Sequence, residues 1–176
     1  MPKIILFTLF ISLFSLGGYS QKKNEVVTFS EANGPHKVRL LFRTKAFDAK
    51  KHKIKTATGV KSTLQQTWID GKLALGTDIS VPKIEIASVK LYFGEKEVLV
   101  PRSMFSDCYN PNLGKDYFRL KIGDDRKSVL AFMAGGDGGA GYQVFWILRS
   151  DGRHSRFSNT VSDADYSSFM NWFFEQ

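Results

Sequence analysis

The sequence predicts a mostly β, single-domain fold: an antiparallel β-sandwich or open β-barrel with one C-terminal α-helix packed against it. Three observations carry this expectation. Turn-forming residues recur at short intervals between apolar or alternating runs, the pattern of antiparallel hairpins. The run from Tyr142 to Arg149 carries apolar residues on both of its faces, so it belongs in the centre of a sheet that is covered twice. Tyr166, Phe169, Met170 and Phe173 follow Ser162-Asp163-Ala164-Asp165 at helical spacing, which reads as a capping box opening an amphipathic helix.

Composition supports one packed core. The chain has 176 residues, 43% apolar and 14% aromatic, which excludes a disordered, collagen-like or disulfide-stapled class. Cys108 is the single cysteine, so no internal disulfide can form. No repeat or low-complexity linker divides residues 21–176, and one domain is the simplest account.

Residues 1–20 read as a signal peptide. Lys3 supplies the positive start, Ile4 to Leu16 is an uncharged and mostly apolar run of thirteen residues, and Gly18 and Ser20 are the small residues before a cut at Gln21. That run is too short to cross a bilayer core, which needs roughly twenty helical residues. The expectation is export to the periplasm or outside the cell, with no transmembrane span after the segment is removed. The chain has no N-x-[ST] acceptor, which favours a bacterial source over a glycosylated eukaryotic surface.

The strands follow in order. Glu25 to Ser30 and Lys37 to Lys45 are expected first. Asp70-Gly71 then separates Thr63 to Ile69 from Lys72 to Leu75, because Asp and Gly tolerate the positive φ of a two-residue hairpin turn. Gly94-Glu95-Lys96 joins Val89 to Phe93 with Val98 to Val100. Arg102 to Lys115 reads as a long ordered loop or short helical turn. Gly123-Asp124-Asp125 joins Tyr117 to Ile122 with Lys127 to Met133, and Asp151-Gly152 joins Tyr142 to Arg149 with Arg153 to Phe157.

Charge is concentrated. From His36 to Ser62 nine Lys or Arg oppose one acid, Asp48, whereas residues 63–176 nearly balance at thirteen against fourteen. Alternation places Val38, Leu40 and Phe42 inward and Lys37, Arg39, Arg43 and Lys45 outward. Lys51, Lys53 and Lys55 form a second alternating row around His52 and Ile54. Two adjacent basic rows attract polyanions such as anionic polysaccharide or lipid headgroups; charged residues also guard sheet edges without binding anything. Nucleic acid fits less well, because stacking aromatics do not interleave with the charges.

The second candidate site is the glycine-rich run Gly135 to Gly141, with Gly136, Asp137, Gly138 and Gly139 at its centre. It precedes a strand rather than a helix, so it does not match a dinucleotide or P-loop fingerprint, and no cofactor is implied. Glycines here permit a flexible connection between neighbouring strands, a tight turn packed under an aromatic such as Trp146, or a close backbone approach to a ligand or protein partner.

No H-E-x-x-H, C-x-x-C or G-x-S-x-G motif occurs, and no metal set is implied. Cys108 with His154 is the one nucleophile and base worth weighing, against a plain buried cysteine. The sequence thus points to an exported, non-enzymatic binding protein of the bacterial envelope that uses the basic rows and the glycine loop. The alternatives are an inhibitor or immunity-type protein that inserts the loop into a partner, and a small cysteine hydrolase using Cys108 and His154.

Overall fold

Eleven strands in three antiparallel sheets make up most of the residues described by the computed structural model, which are 24–58, 65–77, 80–136 and 140–160. In chain order they are β1 (Val26–Asn33), β2 (His36–Ala46), β3 (Ile54–Thr58), β4 (Gln65–Ile69), β5 (Lys72–Leu73), β6 (Ile84–Phe93), β7 (Lys96–Leu99), β8 (Phe118–Ile122), β9 (Ser128–Gly135), β10 (Tyr142–Arg149) and β11 (His154–Thr160). The mostly β expectation holds. The C-terminal helix is not borne out: residues 162–173 lie outside the described residues, and among those described the helical segments are two three-residue 3-10 turns, Ala49–Lys51 and Arg102–Met104. Residues 1–20 also lie outside the described residues.

The first sheet has the order β1-β2-β6-β7, the second is the meander β8-β9-β10-β11, and β3-β4-β5 form a small third sheet. β2 pairs directly with β6, so everything from Phe47 to Lys83 is an excursion from one sheet. A continuous basic segment is thereby split, with Lys37 to Lys45 on the first sheet and Lys55 on the third.

The turns explain the register. Asp70 and Gly71 both have positive φ, 52° and 81°, as a primed two-residue turn requires. Ile69 pairs with Lys72 across it. Gly94-Glu95 joins the paired Phe93 and Lys96 with Gly94 alone at positive φ, 59°, one residue shorter than the sequence suggested. At Asp151-Gly152 only the glycine has positive φ, and the strand resumes at His154 rather than Arg153.

Both four-stranded sheets contribute to one core. Val38, Leu40, Phe42, Val89 and Leu91 from the first meet Phe118, Val129, Ala131, Met133, Val144, Trp146 and Leu148 from the second. The Phe42 ring lies 5.4 Å from Phe118 and 5.9 Å from Trp146, and Phe29 stacks on Phe118 at 3.7 Å. Such aromatic pairs add stabilisation beyond the area they bury. Trp146 donates its indole N–H to the Met104 carbonyl at 2.8 Å, which satisfies the polar atom of this buried ring. On the other side of the second sheet, Phe132 and Phe145 are also buried, as the two-faced apolar pattern of β10 demands.

The segment after β7 is ordered by hydrogen bonds rather than by secondary structure. Asn110, left-handed at φ 46°, accepts from Lys83 N–H and Ile84 N–H at 3.0 and 3.1 Å and donates to the Gly76 carbonyl at 2.9 Å. Its own carbonyl receives Gly136 N–H at 3.0 Å. Gly76 and Gly135 press against Tyr142: a Cβ would meet Tyr142 Cε1 at 2.6 Å from Gly76, and Tyr142 Oη at 2.4 Å from Gly135. The aromatic over the start of the glycine run is therefore Tyr142 and not Trp146.

Two outcomes follow. Asn110→Ala removes three side-chain hydrogen bonds to buried or half-buried backbone, at about 1–3 kcal/mol for each group left unpaired, so urea unfolding will show a loss of about 3 kcal/mol or more. Asp125 accepts from Ser128 Oγ, Lys127 N–H and Ser128 N–H and pairs with Arg149. The Ser128 hydroxyl and then the Lys127 amide hold its carboxyl down at about 2. A lowered folded-state value contributes stability above the unfolded value near 4, lost as pH falls toward 2. Thermal melts of Asp125→Ala will lie below the parent at pH 6, and the two will converge by pH 2.

Candidate functional site

Alternation on β2 comes out as expected. Val38, Leu40, Phe42 and Thr44 are buried, and Lys37, Arg39, Arg43 and Lys45 are exposed on the opposite face. Partners differ along that row. The Arg39 guanidinium sits 4.9 Å from the Tyr92 ring centre and 3.9 Å from Glu95. Lys45 Nζ lies 3.0 Å from Glu85 Oε1, off the direction of a hydrogen bond, so that buried oxygen has no hydrogen-bond partner.

The second row alternates in exposure, with Lys51, Lys53 and Lys55 outward and His52 and Ile54 half-buried, but it does not lie on one strand. Lys51 ends the 3-10 turn Ala49–Lys51 and pairs with Asp48 at 3.2 Å. Lys53 is in the connection and Lys55 is on β3, in a different sheet from β2. On the inward side of this row the His52 side chain is 8% exposed. It turns inward to stack on Phe47 at 4.6 Å, with Nδ1 2.7 Å from Asp70 and Nε2 3.6 Å from Glu85. Asp70 also accepts the Lys53 amide at 2.9 Å. The Lys53 amide and then His52 hold the Asp70 carboxyl below its ordinary value. This contact fastens the β4-β5 turn to the 3-10 turn and both to β6.

A cleft of about 590 Å³ opens at this junction. Lys45 and Lys51 from the sequence-predicted set line it together with His52, Asp70, Lys72 and Arg102. Ser103, Ser106 and Tyr109 complete the wall, and Lys72 Nζ donates to Ser106 Oγ at 2.9 Å. Burial, reinforced by the charge of Glu85, pushes the Tyr109 phenol upward, so it stays protonated and able to donate. Four cations from four chain segments thus surround a cavity rich in hydrogen-bond donors, which suits an anionic group.

Sequence reasoning brought Lys45 and Lys51 to the site but missed Lys72, Arg102, Ser103, Ser106 and Tyr109. Nothing in their local pattern distinguishes them, because Leu75 and Cys108 bridge two distant segments only in three dimensions. Lys37, Arg39 and Arg43 lie outside the cleft lining, as do Lys53 and Lys55. Gly136 is tied down by Asn110, while Asp137, Gly138 and Gly139 lie outside the described residues.

His52 sits between two carboxylates, yet these take opposite nitrogens of the ring and share no common point for an ion. No metal-holding group of three or more His, Cys, Asp or Glu occurs among the described residues. Nor do they include a helix long and apolar enough to cross a membrane.

Cys108 is 1% exposed. Burial drives its thiol well above the ordinary range, outweighing the Arg156 guanidinium whose Nη2 is 3.6 Å away. His154 instead faces the Gly152 carbonyl at 3.0 Å on an exposed strand. This is the environment of an inert thiol.

No family model, curated protein or solved structure matches this chain. The site therefore has to be read from its own chemistry.

The environment of Cys108 makes a direct expectation. A maleimide or disulfide reagent at pH 8 will leave the folded protein unlabelled and will label one thiol per chain after urea unfolding; rapid labelling of the folded protein would show the thiol to be accessible.

Proposed function

We propose that this protein is an exported, non-enzymatic binding protein of the bacterial envelope that holds an anionic ligand with the basic surface around its cleft. The observation that carries this reading is the meeting of Lys45, at the end of the β2 row, with Lys51, Lys72 and Arg102 around one cavity. Cations brought together from separate segments repel one another, and an anionic ligand relieves that repulsion. Lys37 and Arg43 extend the positive surface along β2, and Lys53, in the connection, and Lys55, on β3, extend it toward the third sheet. Export is supported by the charged start, short apolar run and small residues within positions 1–20. Anionic polysaccharide and anionic lipid headgroups are the envelope components with this chemistry.

Retention on immobilised anionic polysaccharide and on phosphatidylglycerol vesicles, followed over a salt series, tests the reading. Exposed contacts weaken as the screening length falls from about 30 Å at 0.01 M to about 10 Å at 0.1 M. We expect retention that drops steeply over that interval and is lost when Lys51, Lys53 and Lys55 are all changed to Glu. Absence of retention at 0.01 M salt would return these charges to a solvated surface.

A further inference from the structure

We infer that the part of the cleft built on Lys72, Arg102, Ser103 and Ser106 is a discrete site for one phosphomonoester group. This rests on the anion-binding reading and narrows it from a charged surface to a single ligand chemistry.

Two of the lining cations stand apart. Lys45 is paired with Glu85 and Lys51 with Asp48, while Asp70 is engaged by His52 and the Lys53 amide. Among the described residues, Lys72 and Arg102 are the lining cations without a carboxylate within ion-pair distance. They come from β5 and from the 3-10 turn after β7. The contact from Lys72 to the Ser106 hydroxyl holds the two segments together at 2.9 Å, and the Ser106 amide closes the turn on the Arg102 carbonyl at 2.9 Å.

Two cations without an ion-pair partner thus stand next to two serine hydroxyls and the donor fork of an arginine, with Asp70 as the carboxylate on the neighbouring wall, where it feels the Arg102 charge. A phosphomonoester carries a charge of about −1.5 to −2 at neutral pH and three strong acceptor oxygens, and it fits both the charge and the number of donors. A phosphodiester or a lone carboxylate brings one negative charge and fewer acceptors. A long polyanion is disfavoured here because Asp70, half of whose side chain is exposed, forms the neighbouring wall and repels a second anionic group. Glu85, buried beneath Lys45 and His52, orients those two side chains and leaves the Lys72 and Arg102 charges unspent.

Calorimetric titration of the purified protein at pH 8 with glycerol phosphate, inorganic phosphate and acetate tests this. Co-sedimentation with phosphatidic acid or phosphatidylglycerol vesicles runs beside it. Saturable one-to-one binding of glycerol phosphate and none of acetate is expected. Lys72→Gln and Arg102→Gln should each weaken binding at least about tenfold, the size of one charge-assisted hydrogen bond. Lys127→Gln, exposed just before β9 and outside the cleft lining, should leave it unchanged, and circular dichroism should show all three variants folded. Preference for phosphatidic acid over phosphatidylglycerol assigns the group to a lipid headgroup. Binding of glycerol phosphate without that preference assigns it to a soluble phosphoester, and either outcome supports the site.

No saturable binding of a phosphomonoester up to about 10 mM, or binding that neither variant alters, overturns it. If salt-dependent retention on phosphatidylglycerol vesicles persists in that case, the broader anion-binding reading stands without this site. If that retention is absent too, both fall.

Discussion

The three sheets are joined through the side chain and backbone of Asn110. Its amide oxygen takes the Lys83 and Ile84 N–H groups where β6 begins, its amide nitrogen reaches the Gly76 carbonyl beyond the third sheet, and its carbonyl takes the Gly136 N–H at the end of β9. A short polar side chain in the left-handed conformation can serve several backbone groups that no strand pairs. Because Asn110 is 4% exposed, water cannot replace these bonds. The position of the segment from Arg102 to Tyr109 against β5 depends on this contact, and so does the presence of a cleft there.

The same junction explains how so many charges tolerate one another. Glu85 is a carboxylate on β6 that the third sheet covers, and leaving it alone in that place would carry a large desolvation cost. Lys45 on the neighbouring strand and His52 from the 3-10 turn face it at 3.0 and 3.6 Å. Phe47 supports the His52 ring from one side, and Tyr109 packs edge-on against Phe47 at 5.5 Å. The third sheet thus closes over a small apolar cluster of Ile69, Ala74 and Tyr109 with a charged pair at its edge. The lysines of this region divide accordingly into those neutralised by the fold and those left to the solvent or a ligand.

The hairpins were legible in the sequence because their signals are local. Asp70-Gly71 announces its positive φ through residue type, and the β2 face announces itself through period two. The return of β2 to β6 was not legible, since the strand that pairs with Lys45 is some forty residues away and Glu85 looks like an ordinary strand acid. The row of Lys51, Lys53 and Lys55 around His52 alternates in exposure as its order suggests, but Lys51 closes a 3-10 turn and Lys55 alone of the three is on a strand. At the first residue of the glycine run, Gly135, the backbone does lie against an aromatic, but that it is Tyr142 rather than Trp146 depends on which β10 side chain lies beside Gly135 across the ladder.

By itself the sequence determined a β-rich domain, its turns, the inward and outward faces of β2 and the concentration of positive charge between His36 and Ser62. These are properties of neighbours along the chain, governed by conformational preference and by a period of two residues. Only the tertiary structure decided which cations are neutralised, that Cys108 is sealed beside Arg156, and that Lys72 and Arg102 share a cavity with Ser103 and Ser106. Those outcomes depend on desolvation and on pairing between distant segments, and neither is written into the local order of residues.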